Sequence, residues 1–598
     1  MCGIAGFIST SRASEASALD ATRRMVTRMH NRGPDAEGLW TSKGVALGHR
    51  RLAILDLDTR ANQPMVSADS RYTIVFNGEI YNFRELRRSL EDRGHVFNTN
   101  SDTEVILALF ATEGETMLQK LQGMFAFVIW DRVAKRAFAA RDPYGIKPLY
   151  YTQHNDGLLF ASQVKALLAT GIVSKDPDLR GQAGFWMLGS VPEPYTWFRD
   201  IRMLAAGHCA WIEQGKITNL DCWQDIGAAW RTAPVVSSSD MEIKERVRAA
   251  VSESVARHLV ADVPVGVFLS GGIDSGALAG MMVEAGAHNL QGITIAYDEF
   301  SGKHEDEAPV AALIAKHYGI QHHIRRVTRE EFLDDLPRIL DAMDQPSIDG
   351  INTWFASKAV AELGLKVVVS GVGGDELFQG YSSFRRLPRL VLLMQMVVRV
   401  PGGMPLAKMV ASLQAQRTSK PRWNYAPEWV QSVAGAWWLS RSISSPAELP
   451  VLMGAELAAE VLRNFDVQTW VSTMTGALPD EPRLALGQIE SMTYMRNQLL
   501  RDSDWASMAH SIELRTPLVD VRLLQQVGPL LHAFYRFPNK FLLAKAPTNP
   551  LPYEVIARKK TGFGIPVGRW LASANSGKES GGSQGWAHEL ARRYEAGL

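Results

Sequence analysis

Between residues 263 and 370 the chain alternates short apolar runs with amphipathic stretches, and this alternation most narrows the folds open to it. The pattern predicts strands over residues 263–269, 290–297, 322–327 and 366–370, with helices near 276–285, 310–318 and 355–363. A strand that reaches its successor through a helix returns parallel to it. The result is a parallel sheet with helices on both faces, whose ligands sit at the carboxyl ends of the strands. After Tyr381 the chain reads as mostly helical, with no internal repeat.

The first half has a different rhythm. Residues 5–9, 71–76, 126–131, 136–141 and 149–152 read as strands between turns, and residues 18–30, 82–93 and 102–113 have helical spacing, which implies antiparallel sheets with flanking helices. A Pro, Thr and Ser-containing stretch, 231–240, precedes a helix beginning near Met241, and residues 572–585 are Gly/Ser-rich, with a short helix after Trp586. The expected organisation is α+β followed by α/β: a first domain over 2–210, a linker over 211–240, a second domain over 241–571 and a tail over 572–598.

Composition removes several function classes. With 64 Lys+Arg against 63 Asp+Glu and 46% hydrophobic residues, the chain is neither disordered nor a strongly basic nucleic-acid binder. No secretory signal pattern opens it. The apolar stretch 390–398 contains Gln395, is followed by Arg399 and is too short to span a bilayer. The helical region 388–409 is accordingly read as packing, not membrane association. Three cysteines, Cys2, Cys209 and Cys222, are too few for a disulfide framework and favour a reducing compartment, with Cys209 and Cys222 read as packing residues. The spacing of His317, His322 and His323 fits no closed metal site. A soluble cytoplasmic protein with small-molecule partners, without nucleic-acid or membrane partners, is expected, and a homodimer is left open.

Cys2 is informative because of its address. Removal of Met1 would leave its thiol on the residue that carries the free α-amine, which titrates close enough to neutrality to act as a base for that thiol. Asn77 can supply a side-chain amide and Gly78 a backbone N–H to a tetrahedral oxyanion. The forked guanidinium of Arg51 suits a carboxylate, while Glu79 and Asp102 suit an ammonium. Each alone is more often a turn or surface residue.

Together with Arg32-Gly33-Pro34-Asp35, His49-Arg50-Arg51-Leu52, Asn77-Gly78-Glu79-Ile80-Tyr81-Asn82 and Ser101-Asp102-Thr103-Glu104, these residues resemble the glutaminase domain of the class II (N-terminal nucleophile) glutamine amidotransferases over about residues 2–210. The resemblance implies a layered αββα fold, Cys2 as nucleophile toward the glutamine side-chain amide and an oxyanion hole from Asn77 and Gly78. It also implies a glutamine pocket lined by Arg51, Asn77, Gly78, Glu79 and Asp102, from which ammonia and then glutamate leave. Gln163 stands where that family usually has Glu.

In the second half, Ser270-Gly271-Gly272-Ile273-Asp274-Ser275 follows a strand and opens a helix, so its backbone N–H groups and the hydroxyls of Ser270 and Ser275 can cradle phosphate. A carboxylate at Asp274 in an anion-binding loop requires an intervening cation, which implies Mg²⁺. A second turn, Ser370-Gly371-Val372-Gly373-Gly374-Asp375-Glu376-Leu377-Phe378, ends a later strand and offers Asp375 to the same metal. Near the end stands Arg558-Lys559-Lys560-Thr561-Gly562-Phe563-Gly564, where a lysine could neutralise phosphate charge. No Walker A pattern occurs.

These motifs, with Asp262-Val263-Pro264, Asp344-Gln345-Pro346-Ser347 and the run from Arg501 to Asp520, resemble the PP-loop (adenine nucleotide α-hydrolase-like) ATP-pyrophosphatase domain of glutamine-hydrolysing asparagine synthetase over about residues 235–570. The implication is that ATP adenylates a carboxylate, most often aspartate. Asp274 and Asp375 would hold Mg²⁺ and pyrophosphate, Lys560 would assist, and Phe268, Leu269, Ile295, Ser370 and Gly371 would hold adenosine beside Ser270, Gly271, Gly272 and Ser275. Ammonia would reach the adenylate through an internal tunnel and displace AMP. Relatives of this architecture also amidate sugar acids or peptide carboxylates. A catalytically silent assembly protein would need broken motifs, and both sites are chemically complete apart from Val372.

Two departures stand out. Gly276 replaces the usual final Ser of the first loop, an expected loss of about 1 kcal/mol of hydroxyl contact to phosphate. Val372 replaces a Glu typical of aspartate-using members and cannot transfer a proton, so Glu376, a water or the substrate takes that role, or the acceptor is not aspartate.

Overall fold

The computed structural model describes residues 2–10, 14–235, 237–538, 540–558, 565–567, 570 and 582–596. Among them, twelve strands within residues 3–222 form two six-stranded antiparallel sheets. Strand Gly3–Ser9 lies inside the first sheet, between Val45–Arg51 and Gly157–Ala161. It is buried on both faces: Ile4 and Ile8 meet Val75, Ala126 and Val128 of the second sheet, whereas Ala5 and Phe7 meet Met25 and Val26 of the helix Glu15–Arg28. The helix Asp102–Glu113 covers the other side of the second sheet through Val105, Ile106 and Leu109 against Ile74, Phe76 and Phe127. The layers are therefore α–β–β–α, and the strand that begins at Gly3 carries Cys2 out of the middle of the sandwich.

A third sheet is wholly parallel, in the order Gln321–Val327, Gln291–Tyr297, Val265–Phe268, Val367–Val369, Glu513–Arg515. The chain starts in the middle strand, builds outward to one edge, then crosses to the other side. Val265–Phe268 and Val367–Val369 consequently flank the switch point, where loops diverge and leave a crevice. The last strand has three residues, two of them charged, and shows no apolar run.

Three expectations are corrected. Cys209 does pack in a core, but Cys222 is exposed. The 388–409 region forms a helical hairpin that leaves much of its apolar surface in solvent instead of packing it. A Cβ on Gly276 would run into Leu551 and Ile314, so this position packs against apolar side chains and the expected phosphate contact does not belong there.

The halves are joined by buried polar contacts. Arg32 donates to both carboxylate oxygens of Asp504 (2.7 and 3.1 Å), and Asp344 accepts from the N–H groups of Val164 and Lys165 (2.7 and 3.0 Å).

Candidate functional site

Cys2 is buried, and its N–H donates to Oδ1 of Asn77 (3.0 Å) while its carbonyl accepts from Nε of Arg32 (3.0 Å). Burial raises the thiol above its usual range. Because Asn77 spends its oxygen on Cys2, its amide nitrogen is left buried and without a protein partner, a donor beside the thiol. Gly78 has no room for a side chain: a Cβ would run into the Met124 carbonyl of the adjoining strand. Gly78→Ala is expected to cost about 2 kcal/mol and lower the melting temperature of this half by about 5 °C, read by differential scanning calorimetry.

Glu79 and Asp102 are both buried, close enough for the charge of Asp102 to act on Glu79. Asp102 accepts from the Ile80 N–H (3.0 Å) and burial pushes it up to about 7. Burial, reinforced by the charge of Glu513, also pushes Glu79 well up. Glu513 and Arg515 carry no sequence signal for this site because they belong to the other half of the chain. Nε of Arg515 donates to Glu513 (2.6 Å) and its Nη2 stands 3.7 Å from Glu79, too far for a hydrogen bond. Three carboxyl groups thus gather in one recess, where a bound cationic group would favour the ionised forms of Glu79 and Asp102. Arg51 is differently placed. Its guanidinium donates to the carbonyls of Leu55, Asp56 and Asp58 and to Asn62 (2.7 Å), so it organises the 55–62 loop that closes over this strand end.

At the switch point the two glycine-rich loops touch. The Ser270 and Ser275 hydroxyls are 2.9 Å apart, Ser275 Oγ accepts from the Ser270 N–H (3.1 Å) and Ser270 Oγ from the Gly272 N–H (3.2 Å). Gly371 and Gly374 are required by contact, since a Cβ on either would press on Asp274. Leu269 and Ile295 are buried at neighbouring strand ends, Phe268 is half-buried, and the Ser370 N–H donates to the Arg515 carbonyl (2.8 Å). Asp274 and Asp375 converge on Nζ of Lys540, at 2.6 and 2.9 Å.

Sequence reasoning misses Lys540, which is remote from both loops and has no motif of its own. It is buried, has φ +54° in the left-handed region and sits where Gly380 leaves space for its stem. Its ammonium marks the point where a cation is shared by two hard oxygen donors, which suits Mg²⁺ bound with phosphates. Arg558 is another cation in place. Its guanidinium lies against Gly271 and donates to the carbonyls of His304 and Asp306 (2.5 and 3.1 Å). Lys560 lies outside the described residues. Val372 is half-buried against apolar neighbours, whereas Glu376 is buried, pushed up to about 7 by burial and by Asp375, and accepts from the Tyr381 hydroxyl (2.6 Å).

Beyond this crevice lies a cavity of about 890 Å³, lined by Asp349, Asn352, Arg422, Trp437, Arg441 and Tyr494 among others. Asn352 accepts from the hydroxyl of Tyr297, the last residue of strand Gln291–Tyr297 (3.0 Å). Arg441 stacks between Tyr494 and Tyr381 (3.7 and 4.7 Å to the ring centres), and Tyr381 leads back to Glu376. Trp437 and Trp586 also line it, with their indole N–H groups buried and without a protein partner.

Comparison with known proteins follows the same division. A family model described as a glutamine amidotransferase domain matches residues 1–223, and one described as asparagine synthase matches residues 246–580. The chain is 33% identical over 594 residues to asparagine synthetase [glutamine-hydrolyzing] 1 of Bacillus subtilis, covering 96% of this chain and 88% of that one. It is 28% identical over 613 residues to asparagine synthetase [glutamine-hydrolyzing] 3 of the same organism, covering 97% and 91%. It is also 34% identical over 415 residues to amidase chry2 of Gibberella zeae, covering 64% and 60%.

Proposed function

Since the chain belongs to the glutamine-hydrolysing asparagine synthetase family, we propose that it transfers the amide nitrogen of glutamine to a carboxylate activated by ATP as its adenylate. The observation that carries this reading is the pairing of two sites of opposite need in one interface. One is an acidic recess beside a buried thiol and an unpartnered amide donor; the other is a phosphate-shaped loop with two carboxylates around a cation.

In the first, loss of Met1 makes the Cys2 nitrogen the α-amine, already oriented by Asn77. That amine takes the thiol proton, the thiolate attacks the glutamine amide, and the Asn77 amide nitrogen with the Gly78 N–H stabilise the oxyanion. Glu79 and Asp102 hold the α-ammonium, and Arg51 turns from the 55–58 carbonyls to the α-carboxylate. Asp102 ionises only as pH rises through about 7, so glutamine binding strengthens in that direction. KM for glutamine is expected to fall about tenfold from pH 6 to 8, and Asp102→Asn to flatten the profile.

In the second, Ser270, Gly271, Gly272 and Ser275 bind the phosphates and Phe268, Leu269, Ile295, Ser370 and Gly371 the adenosine. Asp274 and Asp375 hold Mg²⁺, which when bound offsets the charge of the departing pyrophosphate. Arg558 supplies a fixed positive charge at the loop, a role Lys560 shares. Ammonia crosses the interface beside Arg32 and Asp504 and displaces AMP from the acyl group. Glu376, titrating near neutrality, takes the proton that Val372 cannot.

Aspartate is the acceptor that the relatives' names indicate. The cavity favours a second reading: its volume of about 890 Å³ matches whole drug-sized ligands, and the Asn352, Arg422 and Arg441 side chains in its lining suit an oxygen-rich molecule such as a sugar acid or peptide. Screening AMP and pyrophosphate formation against aspartate, uronic acids and carboxyl-bearing peptides decides between them. A larger acceptor is expected to exceed the aspartate rate by about tenfold or more; ADP as the product would overturn the adenylation scheme.

A further inference from the structure

The hairpin Ser383–Arg399 and Gly403–Thr418 is amphipathic in an inverted sense. Each helix buries a narrow stripe, Phe384, Leu387 and Val391 in the first and Ala407, Ala411 and Ala415 in the second. The large aliphatic side chains point the other way. Leu392, Leu393, Met396, Val397 and Val400 recur at helical spacing along the first helix, and Leu406, Met409, Val410 and Leu413 along the second, all 37–60% exposed. Single exposed leucines are ordinary; nine on one hairpin form a patch of the kind that marks an interaction surface.

Charge identifies the partner. Residues 377–427 contain eight Lys/Arg and no Asp or Glu, in a chain whose net charge is only +1. Within the hairpin, Lys408 pairs outward with Glu428 (2.9 Å) and Arg386 donates to Ser440 (3.2 Å). Arg385, Arg389, Arg399 and Arg417 have no carboxylate anywhere in the segment. Exposed apolar side chains among arginines suit the interface of a bilayer with anionic headgroups, where the aliphatic groups enter the acyl boundary and the guanidinium groups meet phosphate. A second copy placed symmetrically would set this positive segment against itself. No helix among the described residues is long and apolar enough to cross a membrane, so the contact lies in the plane of the surface.

We propose that this hairpin docks the protein on an anionic lipid surface. The segment that ends the second helix and follows it, Thr418–Arg422, lines the 890 Å³ cavity. Docking would therefore hold that cavity close to the lipid, within reach of a membrane-borne carboxylate, a consequence that rests on the acceptor reading above.

The test uses the full chain and needs no turnover, so it is separable from that reading. In co-sedimentation, partition to phosphatidylcholine/phosphatidylglycerol vesicles is expected to exceed that to phosphatidylcholine alone by about tenfold and to weaken with salt. Leu393→Glu with Met409→Glu should reduce it about tenfold with glutamine hydrolysis and melting temperature unchanged, and Arg389→Gln with Arg399→Gln should remove the preference for anionic lipid. Failure to sediment with anionic vesicles, or unchanged binding by both double variants, would overturn the proposal. So would a lipid-free dimer that the glutamate variant converts to monomer, which would make the face a contact between copies.

Discussion

Cys2→Ala is expected to lower glutamate release from glutamine by about 1,000-fold or more, while ATP consumption with the acceptor and added ammonium continues. The size of the effect follows from the site's construction. No other thiol lies in the recess, since Cys209 packs in the core of the second sheet and Cys222 is exposed. Alanine keeps the Cys2 backbone, so the N–H bond to Asn77 and the carbonyl bond to Arg32 survive and the interface should stay closed. A glutamate assay beside an ammonium-driven AMP assay checks both halves. Loss of both activities would mean that Cys2 is structural, and retention of glutamate release would mean that another group is the nucleophile.

The second large effect is expected at Lys540. Lys540→Met removes the cation from between Asp274 and Asp375 and leaves two carboxylates facing each other in a poorly solvated crevice. Removing one partner of a buried ionic cluster costs roughly 3–5 kcal/mol, so the melting temperature should fall. Mg²⁺ should restore more of it than in the parent chain, because the vacated point then belongs to the metal. AMP formation should drop by about 100-fold or more, with glutamine hydrolysis unaffected. Thermal melts with and without Mg²⁺ separate this role from simple packing, which Mg²⁺ would not repair. An equal Mg²⁺ shift in both proteins would count against it.

Whether a feature is legible in the sequence depends on whether it is local. Ser270 to Ser275 and Ser370 to Asp375 are contiguous strand-to-helix turns, and their glycines reflect real close approaches, so residue type and spacing suffice to identify both loops. Asn77 and Glu79 likewise share one strand. Lys540, Glu513 and Arg515 are hidden because their function arises from contacts over hundreds of residues, and Glu513–Arg515 is too short a strand to show a period. Residue type points Arg51 at a ligand, yet its donors find nearby carbonyls, a competition that residue type alone does not expose. The hairpin differs from expectation for a related reason. Helical spacing of apolar residues identifies an amphipathic face but not which side of it the protein covers.

The most direct measurement of the adenylation claim follows an oxygen atom. The chain is incubated with glutamine, ATP, Mg²⁺ and an accepting carboxylate labelled with ¹⁸O in its carboxyl group, and the nucleotide product is analysed by mass spectrometry. Attack of the carboxylate on the α-phosphate followed by displacement with ammonia predicts AMP carrying one ¹⁸O, formed in step with the amide and with glutamate. Unlabelled AMP, or ADP in its place, would contradict the account.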